Sequence, residues 1–288
     1  MVFFDYNGDG VRDVHEPPIL GATVQVGNLI VFSGEDGQYF LESVPKGKRQ
    51  VKLVSAENFR YLVLSPETVQ AIGEPVEIMI EGDTREDLGL MEGFLTLPVS
   101  CGAMSGLTKY VDLDYRLGSV RRWDGITSGP TLPDQHQGID YHAAMDTPIV
   151  AAAPGMVIET AGQGSPDGAT VRLIHDFGGT RKFVTDYAHC SKLLVSRGDH
   201  VARGQTIGLM GKATSGVIHV HFELWDLPAM AENSNAAVIQ WIFDPDKHIH
   251  VTYPNGGVVP AALDPYRDVT NPESLSYWTR DNEPQCPR

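Results

Sequence analysis

The side chains best suited to chemistry lie in three separate segments of the chain. The first runs from His136 to Asp140, the second ends at His189, and the third contains His219 and His221. Imidazole and carboxylate groups bind zinc, and a catalytic zinc usually takes three such ligands and keeps one position open for water. About half of the ten histidines of the chain fall into these segments. Their combination predicts a zinc site.

The third segment has the pattern of a β-strand. In residues 216–225 every second residue is polar, and the residues between are apolar or aromatic, which is the alternation of a half-buried strand. His219, His221 and Glu223 therefore share one face, and the two imidazoles should project into the same space. A single histidine in a strand is more often a hydrogen-bonded, half-buried residue than a ligand. The prediction therefore depends on the three segments together.

Around these segments the sequence resembles the lysostaphin-type (LytM-like) zinc metalloendopeptidases, which cut peptide cross-links in bacterial cell walls. The resemblance extends from about residue 134 to about residue 248. The motifs that carry it are GID at 138–140, TPIVAA at 147–152, GMVI at 155–158, YAH at 187–189, RGDHV at 197–201, GQTIG at 204–208 and HVHFE at 219–223.

The resemblance implies that His136, Asp140 and His221 bind zinc, and that His189 and His219 are catalytic histidines that do not bind it. One carboxylate among three ligands leaves the site net positive, which favours ionised water and a polarised peptide carbonyl. The two catalytic histidines, neutral near pH 7, would move a proton or stabilise the oxyanion. Peptides of peptidoglycan that contain glycine or D-alanine are the implied substrates.

Other residues of this region receive weaker interpretations. Glu223 is expected to hold an imidazole of the site, or else to be a plain surface residue of the strand. His142 and His175 have no role in the family pattern and are interpreted as structural. Cys190 stands where the family usually has leucine, and it should point away from His189. The loop at 211–216 is shorter than the usual loop before His-x-His, which bears on the choice of substrate.

Two alternatives belong to other functional classes. One is a non-catalytic domain that binds the cell wall or regulates another protein, since relatives of this fold occur in which the zinc residues have changed. The presence of all five expected residues argues against it. The other is an adhesin-like structural protein whose N-terminal module is the functional part, and calcium-dependent ligand binding without hydrolysis would favour it.

A second group of candidate ligands lies near the start of the sequence. Residues 5–16 read DYNGDGVRDVHE, with oxygen-bearing side chains at alternate positions, a glycine for the sharp turn and Glu16 at the twelfth position. This spacing fits a calcium-binding loop. A plain acidic turn is the alternative. An EF-hand is not expected, because the flanks are a short apolar run and Pro17-Pro18 instead of amphipathic helices.

Short strand-like runs follow this loop, and several of them at such spacing predict a β-sandwich. They lie at 2–4, 22–26, 29–33, 38–41, 49–55 and 76–80. With the acidic loop, GATV at 21–24, EDGQYF at 35–40 and DLGL at 87–90, this region resembles the B-type repeats of bacterial surface adhesins, calcium-binding modules that serve as spacers. The resemblance implies a set of calcium ligands: the side chains of Asp5, Asn7, Asp9 and Glu16 and the backbone of Val11.

The predicted fold class is mainly β. A calcium-binding β-sandwich is expected in residues 1–91, an antiparallel-β peptidase domain of the duplicated-hybrid-motif type in 92–250 with its core at about 134–248, and a tail in 251–288. Further strands are predicted at Ile149–Ala153, Met156–Thr160, Thr170–His175, Arg181–Ala188 and Ile207–Met210, and a helix at Ala229–Ile242. Residues 118–133 are interpreted as a loop that forms one wall of the substrate groove or is only a connection.

Composition and charge limit the possible functions. With 288 residues, 42% hydrophobic and 20% charged, the chain is typical of a soluble globular protein of about two domains. Its net charge of −15 argues against nucleic acid or an anionic membrane surface as a partner. No run is long enough to span a membrane and no leader is recognised, so any signal peptide should lie outside this sequence. A secreted, periplasmic or cell-surface location is expected.

The three cysteines allow at most one bridge within the chain. Cys101 and Cys286 lie near the two ends of the peptidase region, and a bridge between them would suit an exported protein. The sequence alone does not determine the pairing.

Overall fold

The computed structural model describes residues 1–56, 58–109, 111, 136, 138–179, 182–226, 262–263, 265 and 276–282. This part of the chain divides into two compact units. The first contains Met1–Thr96, Phe177–Gly179 and residues 277–282, and the second contains Leu97–Asp176 and the described residues from 182 to 276.

Two sheets form the first unit, with strand orders β1–β8–β5–β6 and β3–β2–β4–β7. The strands are β1 (Val2–Phe4), β2 (Thr23–Val26), β3 (Leu29–Phe32), β4 (Gly47–Ser55), β5 (Tyr61–Ser65), β6 (Thr68–Ala71), β7 (Pro75–Ile80) and β8 (Leu88–Met91). Alternate residues of β2 and β4 are buried, and they share one core with Leu62 and Leu90 of the other sheet. Two sheets that bury one common core make a β-sandwich, which confirms this part of the predicted fold class.

The sequence pattern was misleading at two kinds of position. The predicted strand at 38–41 is wrong: the segment is irregular, Phe40 is 77% exposed, and Tyr39 and Leu41 pack partly against the core. Its alternation therefore reflects one-sided packing and not pairing in a sheet. Conversely, β5 and β8 were not predicted, because consecutive buried residues remove the alternation on which a strand is recognised.

The second unit is built on one large sheet, whose main path has the order β15–β12–β13–β14–β17–β10–β9 among the described residues. Its strands are β9 (Met104–Thr108), β10 (Ile139–Ala143), β11 (Pro148–Val150), β12 (Gly155–Ala161), β13 (Ala169–Asp176), β14 (Lys182–Leu193), β15 (His200–Val201), β16 (Thr206–Met210), β17 (Val220–Asp226) and β18 (Ala262–Leu263). Every pair in this sheet is antiparallel. The predicted antiparallel-β class is therefore confirmed here too.

Some predictions fall outside the described residues, namely the helix at Ala229–Ile242, the loop at 118–133 and most of the tail. Among the described residues, the helical structure is a single 3-10 turn at Arg280–Asn282. Within the same residues there is no helix with the length and apolar character needed to cross a membrane. Cys101 is disulfide-bonded and Cys190 is a buried free thiol, whereas Cys286 is not among the described residues.

Candidate metal centre

The three chemical segments meet because their strands are neighbours in the large sheet. Strand β17 lies between β14 and β10, and its His221 is paired with Ala188 on one side and with Asp140 on the other. Val220, Phe222 and Leu224 of β17 are buried in the core. The alternate residues therefore point to the opposite face, as the sequence pattern predicted.

His136, Asp140 and His221 form a compact set of donor atoms. Oδ1 of Asp140 lies 3.1 Å from Nε2 of His136 and 3.0 Å from Nδ1 of His221. One ligand atom from each residue lies within 4.8 Å of the other two, and this is the group of its kind found among the described residues. Two imidazole nitrogens and one carboxylate oxygen form a donor set that suits zinc.

The electrostatics of this set favour a positive charge at its centre. Burial raises the pKa of Asp140, but hydrogen bonds and charge from His136 and His221 outweigh burial and hold that pKa well below its usual range. Burial lowers the pKa of His221, but Asp140 and Glu223 outweigh burial and raise it to about 10. A cation bound between these groups would supply the positive charge that the two carboxylates require.

Glu223 fixes the orientation of the His221 ring. Its Oε1 lies 2.7 Å from Nε2 of His221, and its Oε2 accepts a hydrogen bond of 2.5 Å from Nε1 of Trp225. Nδ1 of His221 is therefore left to face Asp140 as the ligand atom. The expectation that Glu223 holds an imidazole is confirmed, and such contacts keep metal-binding histidines in one orientation and tautomer.

His219 lies beside the donor set without belonging to it. It immediately precedes β17, it is 6% exposed, and its Nε2 is 3.5 Å from Oδ1 of Asp140. Burial lowers its pKa, so the imidazole is neutral near pH 7 and can accept a proton. The ring centre of His189 is 4.7 Å away. The structure thus places the two predicted catalytic histidines together.

A bulge in β14 brings His189 into this position. The pairing of β13 with β14 shifts register between Ala169 and Val171, and His189 has a φ of +66°, a conformation that costs energy in a residue with a side chain. Its Nδ1 lies 2.8 Å from the carbonyl oxygen of Asp167. The Asp167 carboxylate in turn accepts hydrogen bonds of 2.7 and 2.8 Å from the backbone and hydroxyl of Thr214.

Gly168 makes this arrangement sterically possible. A Cβ atom at Gly168 would lie 2.7 Å from Cα of His189, and the glycine itself has a φ of +75°. Cys190, the next residue after His189, is buried and points into the core, and burial raises the pKa of its thiol to about 12. The predicted opposite orientation of His189 and Cys190 is confirmed.

The two histidines interpreted as structural differ from each other. His175 is fully buried, with Nδ1 2.8 Å from the Pro154 carbonyl and Nε2 2.8 Å from Oγ1 of Thr185, as a structural residue should be. His142 instead lies at the site. It follows Asp140 by two residues on β10, its Nε2 is 2.5 Å from Oγ1 of Thr108, and its ring centre is 5.5 Å from that of His219. Its i+2 spacing from Asp140 was the signal that could have revealed it.

The acidic loop of the first unit is closed around two buried carboxylates. Asp5 is fully buried and accepts hydrogen bonds of 2.5 and 2.8 Å from the backbone of Gly8 and Gly10. Glu16 is 2% exposed, and its oxygens accept hydrogen bonds of 2.7 and 2.8 Å from the backbone of Tyr6 and Asp13. Burial, with some repulsion from nearby carboxylates, raises the pKa of Asp5 to about 6.

The remaining predicted calcium ligands lie at the surface of the same loop. Oδ1 of Asn7 accepts a hydrogen bond of 2.9 Å from the backbone of Asp9, and Oδ1 of Asp9 accepts one of 2.8 Å from the backbone of Val11, which is 63% exposed. In the described part of the chain, the acidic residues of this loop do not form a ligand group as compact as that of His136, Asp140 and His221.

The fold and the site define a class of protein before any comparison is made. A His/Asp/His donor set with two further histidines, carried on an antiparallel sheet, has the chemistry that a metal-dependent hydrolytic centre requires. Residues 134–236 match the sequence profile of Peptidase family M23. This part of the chain is therefore similar to the M23 metallopeptidase domains of the LytM and lysostaphin type.

The chain is also similar to individual proteins over part of its length. Peptidoglycan DD-endopeptidase ShyC of Vibrio cholerae is 38% identical over 90 residues, which are 31% of this chain and 19% of that protein. Lysostaphin of Staphylococcus simulans is 34% identical over 100 residues, 34% of this chain and 19% of that protein. The crystallised catalytic domain of lysostaphin is 32% identical with a TM-score of 0.28, over 32% of this chain and 67% of that structure. The chain spans 18% to 36% of the length of the curated relatives that it matches.

Proposed function

We propose that this protein is a zinc-dependent endopeptidase that hydrolyses peptide bonds in the cross-links of bacterial peptidoglycan. The observation that carries the proposal is the donor set of His136, Asp140 and His221, with all ligand atoms within 4.8 Å of one another, beside the pair His189 and His219. A non-catalytic relative of the fold would not need the second pair. The substrate class rests on relatives that are a peptidoglycan DD-endopeptidase and lysostaphin.

In the proposed mechanism His136, Asp140 and His221 would hold zinc, which would supply Lewis acidity and lower the pKa of a bound water. Glu223 keeps Nδ1 of His221 facing Asp140. His189 and His219, 4.7 Å apart by ring centres, would abstract the proton of the attacking water and stabilise the oxyanion on the peptide carbonyl. The histidine that takes the water proton would pass it to the leaving amine as the C–N bond breaks, which completes hydrolysis.

The substrates proposed are wall peptides that contain glycine or D-alanine, and an extracellular or periplasmic location follows from that choice. Digestion of purified peptidoglycan from several wall types, with mass spectrometry of the fragments, tests the proposal. New amino termini at cross-link peptides, lost with a zinc chelator and restored by added zinc, are expected. Intact cross-links with zinc-loaded protein would contradict it and would favour a wall-binding role.

For the N-terminal unit we propose a calcium-stabilised spacer. Two carboxylates, those of Asp5 and Glu16, are buried in one short loop, and burial of acidic groups costs free energy that a bound cation would offset. Asp5, Asn7, Asp9 and Glu16 would supply side-chain oxygens and Val11 its carbonyl. This assignment rests on the loop chemistry and on the resemblance to B-type repeats.

A further inference from the structure

A row of charged residues crosses four neighbouring strands and ends at the metal centre. Glu159 of β12 is paired with Arg172 of β13, Arg172 with Asp186 of β14, and Asp186 with Glu223 of β17. We call these four residues the charged row. Residues that are direct partners on adjacent strands have side chains on the same face. The charged row therefore lies on the face that carries His221.

Arg172 is held by the two carboxylates that flank it. Its Nη1 lies 2.5 Å from Oε2 of Glu159, its Nε lies 2.6 Å from Oδ2 of Asp186, and its guanidinium stacks over the Trp225 ring at 5.1 Å. Burial lowers its pKa, but Asp186, Glu159 and more weakly Glu223 outweigh burial and raise it. Arg172 is therefore a permanent cation close to Glu223.

Both oxygens of Glu223 already have a partner. Its Oε1 contacts His221 at 2.7 Å, and its Oε2 accepts from Trp225 at 2.5 Å. A guanidinium can bind a carboxylate through two parallel hydrogen bonds, which adds strength and geometric specificity. If Arg172 were free to turn, it would compete with His221 for Glu223.

Asp186 binds Arg172 and so opposes this competition. Its side chain is 6% exposed, Oδ2 binds Nε of Arg172, and the buried Oδ1 has no hydrogen-bond partner. A buried carboxylate with an unsatisfied oxygen costs stability, and the contact with Arg172 is the one that offsets this cost. Its one strong contact is the contact that turns Arg172 away from Glu223.

We propose that Asp186 is a positioning residue for the metal centre: it binds Arg172 and so leaves Glu223 to orient His221. The proposal rests on the proposed function, because it takes His221 as a zinc ligand. Loss of contacts that orient a metal-binding histidine typically weakens metal affinity by about 10- to 100-fold. Position 186 should therefore affect zinc affinity, although Asp186 supplies no ligand atom.

Three variants isolate this effect. Asp186→Leu removes both oxygens and should weaken zinc binding by about 10- to 100-fold. Asp186→Asn keeps an oxygen that can accept from Arg172 and should bind zinc nearly as the wild type does. Adding Arg172→Met to Asp186→Leu removes the competing cation and should restore affinity, a coupling that a double-mutant cycle measures.

The experiment is competition for zinc against a fluorescent chelator at fixed pH, with thermal melting of each full-length variant in parallel. Glu77→Gln is the matched control, because Glu77 forms an exposed ion pair with Lys48 on the first unit. Wild-type affinity in folded Asp186→Leu, or an affinity of Asp186→Leu/Arg172→Met that stays low, would overturn the proposal.

The proposal can still be tested if Asp186→Leu is too unstable to measure. If Asp186→Leu does not fold, Arg172→Met alone is compared with Asp186→Leu/Arg172→Met, and the proposal requires equal zinc affinities. A tenfold difference between those two proteins would overturn it. Failure of the proposed function would look different, because cross-links would then stay intact with zinc-loaded protein. An error in the ligand assignment would show as wild-type zinc affinity in His221→Ala.

Discussion

Both nitrogens of His221 are committed, Nδ1 to Asp140 at 3.0 Å and Nε2 to Glu223 at 2.7 Å. An imidazole held on both sides cannot rotate without breaking a charged contact, so its ligand atom stays fixed before any metal arrives. Preorganised ligands lower the cost of ordering a site on binding.

Loss of one ligand should remove the metal. We expect one zinc per chain in the wild type and a large loss of zinc in His136→Ala and Asp140→Asn, because each variant removes one of three protein ligands. Elemental analysis after dialysis measures this. His200→Ala, at an exposed histidine of the same unit, is the control and should retain zinc. Equal zinc in wild type and His136→Ala would remove His136 from the ligand set.

Replacement of either proposed catalytic histidine should separate activity from metal content. His189→Ala and His219→Ala are each expected to keep zinc and to lose about 10²- to 10⁴-fold in hydrolysis, the usual contribution of a positioned acid or base. The double variant should lose less than the product, because groups that act as one unit fail together. Release of wall peptides and elemental analysis are measured on the same samples. Metal loss in either single variant would place that histidine among the ligands.

Buried His175 should make the second unit sensitive to acid. Burial lowers its pKa to about 4 in the folded protein, below the value of about 6.5 in the unfolded chain. The unfolded state therefore binds more protons as pH falls from 6.5 toward 4, and stability is lost over that range by roughly 3 kcal/mol. Denaturant unfolding of the wild type and His175→Asn between these pH values should show a shallower acid loss in the variant. Parallel acid limbs would contradict the prediction.

Calcium should stabilise the N-terminal unit. A ligand that binds only the folded state adds roughly 2.7 kcal/mol at about a hundred times its dissociation constant, so calcium should raise the melting temperature and a chelator should lower it. Asp9→Ala should reduce this response. Asp36→Ala changes an acid in a different turn and should respond as the wild type does. No calcium effect on melting in the wild type would show that the loop is only an acidic turn.

The sequence predicted the site better than it predicted the path of the chain. Alternation at 216–225 correctly placed His219, His221 and Glu223 together, because the period of a strand fixes the side on which each residue lies. The left-handed backbone conformation of His189 was not predictable. It lies at a bulge in β14, which appears only in the pairing of β14 with β13. The position of His142 at the site was not fully predictable either, because it depends on the register of β10 with β9.

The sequence also did not predict the pairing of charged residues on distant segments. Glu159, Arg172 and Asp186 lie on three strands, and no local pattern marks them as partners. Fully buried strands such as Leu88–Met91 were missed for a related reason, because a continuous apolar run does not identify its neighbours.

The φ of +66° at His189 places protein stability and the proposed hydrolysis in conflict at this one position. Glycine adopts this conformation without the cost that a side chain pays, so His189→Gly should yield a more stable protein than His189→Ala. Selection for heat resistance alone would therefore favour losing the histidine, whereas selection for hydrolysis would keep it. In a gene copy that no longer needs hydrolysis, we would expect substitution of this residue early, because it would raise stability.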